Sequence, residues 1–274
     1  MGQFGDGGLS LLDRARALRY RVRIGIVLAI AIMVAIVAVF VPPIPQDPSY
    51  HNFADSRALL GIPNFGDVMS NVPFFLVGAL GIAFFFQHRN DTTGEINPQR
   101  WPFFIYFVGV ALVAFGSAYY HYAPANATLF WDRLPMSIAF MALLSAFVMD
   151  RIQIKAGLLL LPLLVILGIF SVIYWHLTEQ AGQGDLRLYA VVQFFPILAI
   201  PLICILFSPL KLDARYLVAM ACLYGLAKVF EFFDHGIFDL LDETVSGHTL
   251  KHLSAAAAAY MALPMLRNPV PTTR

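Results

Sequence analysis

Residues 22–41 read VRIGIVLAIAIMVAIVAVFV, twenty residues in which Arg23 is the single charge. A helix rises about 1.5 Å per residue, so about twenty apolar residues cross the hydrocarbon core of a bilayer. Basic residues precede the run, and Pro42, Pro43 and Pro45 follow it. The run is longer than the roughly 7–15 residues of a secretory signal core, and prolines stand where a small-residue cleavage site would be. It is expected to remain as a membrane span.

The pattern recurs outward from this run to the end of the chain. Of 274 residues, 59% are hydrophobic and 13% charged, against about 45–50% and about 25% in soluble domains. Contact with lipid accounts for the excess. The net charge of +1 carries no basic block, which leaves no nucleic-acid partner to infer. Cys204 and Cys222 lie in apolar runs and read as small hydrophobes, not as a disulfide or a metal knuckle. Seven further apolar stretches follow, at about 68–87, 102–121, 132–149, 156–176, 186–207, 215–237 and 248–266. The fourth span, 132–149, is the shortest and carries Pro135 in its first turn. Short polar connections leave no room for a second domain. The expected fold is an all-α polytopic membrane protein with eight spans.

Lys and Arg orient such a bundle, because cytoplasmic loops carry the excess. With the N-terminus inside, Arg14, Arg16, Arg19, Arg21, Arg23, Arg89, Arg100, Arg151, Lys155, Lys211, Arg215, Arg267 and Arg274 are cytoplasmic, thirteen in all. Arg57, Arg133, Arg187 and Lys251 are outside, and Lys228 falls within a span. Thirteen against four predicts that both termini are cytoplasmic.

Ionisable residues inside spans are costly and tend to mark function. His51, His88 and His176 sit in loops or at span ends and read as surface residues. His248 and His252 are four apart at the start of the last span, a spacing that turns both imidazoles to one side and suits one metal ion. Alone, that pair is a weak signal. His121 ends the third span, with Ser117 one turn before it, and Asp132 opens the fourth in Phe130-Trp131-Asp132-Arg133-Leu134-Pro135. A bland reading makes Asp132 a helix cap. Yet the charge-derived topology brings Ser117, His121, Asp132, His248 and His252 to the same extracytoplasmic side. Three neutral histidines suit Zn²⁺ with a fourth position left for water. Asp132 could then act as general base and Ser117 as a donor to a developing oxyanion. These parts fit hydrolysis of an acyl bond near the membrane surface.

Two other polar groups need a reading. Lys228, Glu231, Asp234, His235 and Asp239 have helical spacing and read first as a structural ion-pair ladder. The sharper alternative makes Glu231 or Asp234 a brace for a metal-bound histidine. In Pro48–Asn71, the oxygens of Asp55, Asn64 and Asp67 could bind Ca²⁺, although turn and cap roles explain them more simply.

Ser117-x-x-x-His121, Asp132 eleven residues on, and His248-x-x-x-His252 together resemble the alkaline ceramidases, within a wider group of membrane hydrolases that includes the adiponectin receptors. The stretch Asn64-Phe65-Gly66-Asp67-Val68-Met69-Ser70-Asn71 looks closest to the bacterial branch. The resemblance covers about residues 47–266 and implies a seven-helix ceramidase-like bundle, with residues 1–46 as a cytoplasmic N-terminus plus an extra helix and 267–274 as a cytoplasmic tail. It implies zinc held by His121, His248 and His252, with Ser117 and Asp132 as catalytic partners. The substrate implied is ceramide or a similar lipid taken from the membrane, with no obligate protein partner. The implied setting is the bacterial inner membrane. Two positions depart from the pattern. Asn64 stands where eukaryotic members carry an acidic calcium ligand, which weighs against Ca²⁺, and Lys251 replaces an aromatic residue before the last histidine. A receptor or sensor with a zinc site and little turnover is the alternative, but these loops are too short for a signalling domain. A transporter should show two similar halves, and the sequence has none.

Overall fold

The computed structural model describes residues 11–90, 94 and 97–268, with side chains from Leu18 onward. Residues 1–10 of the expected N-terminal segment, and the expected tail beyond Asn268, lie outside the described residues. Eleven α-helices and two short 3-10 helices, Pro48–His51 and Pro98–Arg100, make up the regular structure among them; the α-helices are α1 (Leu11–Phe40), α2 (Phe65–Met69), α3 (Val72–His88), α4 (Trp101–Tyr122), α5 (Asn126–Arg151), α6 (Ile154–Gln180), α7 (Arg187–Leu206), α8 (Ala214–Phe232), α9 (Asp234–Leu240), α10 (Gly247–Tyr260) and α11 (Ala262–Arg267). Among the described residues, six helical stretches are long and apolar enough to cross a membrane, or up to seven if α8 and α9, bent by 78° at Phe233, count as one.

The helices differ in what covers them. In the most apolar window of α5, 78% of residues are buried inside the protein, whereas in α1 none are. α5 is therefore the axis of the bundle, packed by α4, α6 and α7, while α1 lies outside against α7. An apolar helix with no protein cover is stable only where lipid replaces water. α1 is nevertheless fastened. Arg187, paired with Asp185, donates from Nη1 to the Val41 carbonyl at 2.6 Å, and Tyr20 donates to the Ile152 carbonyl at 3.0 Å. Cys204 is partly buried and Cys222 exposed, and both are free thiols.

Glycines set how closely the inner helices approach. A side chain at Gly116 would collide with the backbone carbonyl of Trp131, and one at Gly109 would crowd Ala139. α4 and α5 thus meet backbone to backbone around Ser117 and Asp132. The sequence expectation that Asp132 opens its helix is corrected here. α5 begins at Asn126, where the Thr128 hydroxyl accepts the Ala125 N–H at 3.1 Å and donates to the Ala123 carbonyl at 2.7 Å. Asp132 stands more than one turn inside, so it caps nothing, and Pro135 lies in the helix interior. The fourth span is correspondingly 26 residues long, not the short one expected.

Candidate metal centre

The last helix is fixed at its start before it presents any histidine. The Ser246 side chain accepts the Thr249 N–H at 2.9 Å, closing the first turn of α10. A side chain at Gly247 would collide with the Phe230 carbonyl, so glycine lets α10 press against the end of α8. Asp234 then accepts the His248 N–H at 2.7 Å with one carboxylate oxygen and the Ala54 N–H at 3.0 Å with the other. This satisfies a backbone donor that a helix start leaves free. On the α4 side, Asn64 donates its side-chain amide to the His121 carbonyl at 2.7 Å. Its left-handed backbone, φ 47°, is one that asparagine tolerates well.

His121, His248 and His252 converge. Their ring centroids lie 4.7–4.8 Å apart, and one nitrogen from each lies within 4.8 Å of the others. All three are buried. Among the described residues they form the one group of three or more His, Cys, Asp or Glu able to hold a metal ion.

The hydrogen bonds test whether these rings fit a metal. Ser70 donates its hydroxyl to the Asp67 carbonyl at 3.0 Å, so the contact between Ser70 Oγ and His252 Nδ1 at 2.7 Å has the imidazole N–H donating. That tautomer leaves the Nε2 lone pair free, and such a second partner is what orients a ligating histidine. His121 Nδ1 is buried with no protein partner. His248 Nε2 faces Lys251 Nζ at 3.1 Å, and Glu231 holds the same ammonium at 2.8 Å. A metal ion would compete for that nitrogen, and Glu231 remains as the partner of a displaced ammonium. Three buried imidazoles, with His121 Nδ1 and His252 Nε2 unclaimed and His248 Nε2 held only by a displaceable ammonium, form the kind of donor set that zinc prefers.

Ser117 and Asp132 border the trio. Both line one cavity of about 320 Å³ with Lys251 and His252. From that polar end the cavity continues along Leu143, Pro196, Ile200, Leu217 and Met220. An apolar cavity with a few convergent polar groups is the usual form of a small-molecule site.

The remaining sequence expectations divide. Lys228 pairs with Glu231 at 2.5 Å, but the ladder stops there. The helix bends at Phe233, and His235 turns to the Asn52 carbonyl at 3.3 Å. Asp234 braces the backbone of His248, and Glu231 reaches His248 through Lys251. Two of the Pro48–Asn71 carboxylates already have protein partners. Arg57 bonds both oxygens of Asp55 at 2.7 Å, while Ser246 and Thr249 each donate to Asp67 at 2.9 Å. His51 is not merely a surface residue, since it contacts the Tyr120 hydroxyl and the Asn126 side-chain oxygen at 2.9 Å each. Sequence reasoning passed over Ser70 as a histidine partner. Its one signal was a hydroxyl beside Asn71 at the mouth of a span.

The sequence pattern of the family described as Ceramidase matches residues 61–230, more than half of the chain. The matched segment holds Ser117, His121 and Asp132 and ends before the helix with His248 and His252. No curated protein matches the chain.

Proposed function

The chain belongs to the ceramidase family of lipid amide hydrolases, and from that premise we propose that it cleaves the N-acyl bond of ceramide or a similar lipid, using zinc held by His121, His248 and His252. The observation that carries the reading is that His252, one of the buried histidine trio, lines an otherwise apolar cavity together with Ser117 and Asp132. When bound, zinc would lower the pKa of water to about 7 and polarise the acyl carbonyl. Asp132 takes the proton of the attacking water as general base. Ser117 turns its hydroxyl to the oxygen on which negative charge develops. The Asp234 and Ser70 contacts keep the two α10 imidazoles in place, and the apolar walls exclude bulk water and accept the acyl chain. Ceramide hydrolysis yields a fatty acid and a sphingoid base.

The same proposal has residues 47–266 as the hydrolase domain, preceded by one additional helix, with eight spans in total. Both termini face the cytoplasm and the histidines the opposite side. The thirteen-to-four distribution of Lys and Arg supports this orientation. Reporter fusions after Gln46 and at the C-terminus are expected on opposite sides of the membrane. For the chemistry, purified protein is expected to contain one zinc and to release fatty acid from ceramides, with activity lost on chelation and restored by zinc. Zinc-loaded protein that releases none from any N-acyl lipid would end the amidase reading.

A further inference from the structure

Arg133 follows Asp132 on α5, is 6% exposed and lines the same cavity. Among the described residues no ion pair includes it. Its Nη2 donates to the Gln46 side-chain oxygen at 2.6 Å, while its Nη1 is buried with no partner. The guanidinium lies 4.3 Å from the ring centroid of Trp175, 4.8 Å from that of Tyr189 and 5.5 Å from that of Tyr50. Three rings attract and hold a cation but do not neutralise it. A guanidinium cannot shed its charge, so burying it without a carboxylate is costly.

The neighbouring charges do not balance it. Lys228 and Lys251 share the single carboxylate of Glu231, and the other acid lining the cavity is Asp132. Three cations therefore face two carboxylates, and a bound metal ion would widen the imbalance. Arg133 and Tyr189 lie near the starts of α5 and α7, while Leu143 and Ile200 lie further along the same helices. The unpaired charge is thus at the opposite end of the cavity from the apolar walls suited to an acyl chain.

We infer that the cavity takes an N-acyl lipid whose head group carries an anion, such as the carboxylate of an N-acyl amino acid, seated against Arg133. The inference rests on the amidase reading of the site. A fatty-acid product would supply the same carboxylate chemistry, so the test separates the two sources.

Purified full-length protein is titrated with N-palmitoylserine, with its methyl ester and with palmitate. Quenching of tryptophan fluorescence follows binding, and fatty-acid release follows turnover. The acid is expected to bind, and to show kcat/KM, about 10- to 100-fold better than the neutral ester, the usual span for a hydrogen bond to a charged group. Arg133→Gln is expected to bring the acid down to the level of the ester, costing the acid about 10- to 100-fold more than the ester. Equal handling of acid and ester by the wild-type protein overturns the inference and needs no variant. Equal loss for both in Arg133→Gln, or palmitate binding as tightly as the acid, overturns it as well. A binding preference for the acid with no release from any lipid supports the Arg133 assignment and overturns the amidase reading alone.

Discussion

Two buried polar groups lie toward opposite ends of α5, and they are built on different plans. At the C-terminal end, Asp150 and Arg151 pair with each other at 3.2 Å. Asp150 also accepts the backbone N–H groups of Lys211 and Leu212 at 2.7 and 3.1 Å, and Arg151 donates to the Leu212 carbonyl at 2.8 Å. Opposite charges meet there and pin a loop. Toward the other end, like groups gather. Three imidazoles meet without a carboxylate between them, His121 Nδ1 and Arg133 Nη1 lack protein partners, and a cavity runs alongside. Buried polarity alone does not mark a functional site. Bonding capacity left over beside a cavity does.

The largest effect is expected at the open end. His252→Ala should remove zinc and abolish fatty-acid release, with metal analysis and turnover measured on one preparation. A variant that keeps both would erase the distinction between the two groups. Asp132→Asn should keep its zinc and lose about 10²–10⁴-fold in rate. Because Asp132 does not cap α5, a loss of rate cannot be ascribed to a frayed helix end. Ser117→Ala, also with zinc retained, should lose up to about 10²–10³-fold, and an unchanged rate would leave the proposed oxyanion without this donor.

The closed end should respond in stability instead. Asp150→Ala leaves a buried guanidinium without its partner, which costs about 3–5 kcal/mol. Thermal unfolding in detergent should show the loss, with activity per folded molecule intact. The smallest effect belongs to Asp55, outside the spans, whose bond to Arg57 holds its carboxyl below the usual carboxylate range. A lowered folded-state value means that the contribution is present above the unfolded value of about 3.9 and disappears as pH falls below it. Arg57 is half exposed, so the contribution should stay below about 1 kcal/mol. Asp55→Asn should lower stability near neutrality by that amount and flatten its fall in acid. A larger change would make this contact an equal of the Asp150 pair.

What the sequence revealed depended on the range of the interactions. Apolar runs are local, and they located the long helices to within a few residues, except where the runs 215–237 and 248–266 break at Phe233 and Met261 and at the starts of α1 and of α5. At the start of α5 the residues 126–131 are mixed in character, and Thr128, not Asp132, organises the first turn. The histidine trio was legible because two members share a helical face and the third lies at the end of a span. Its supports were not. Ser70 and His252 are 182 positions apart, and Ala54 and Asp234 are 180 apart. No pattern of spacing joins such pairs. Arg133 entered only the count of outside charges, since aromatic rings contributed by three separate segments are visible only after folding.

The glycine seam between α4 and α5 has a consequence for how such a protein can change over generations. Ser117 and Asp132 are held at their separation by main chain against main chain at Gly116 and Trp131. Part of the apolar wall is supplied by α7 and α8, through residues such as Ile200, Leu217 and Met220. Replacements on that wall can reshape the pocket one methyl group at a time without moving the pair. Selection can therefore explore new lipids while the reacting groups stay in register.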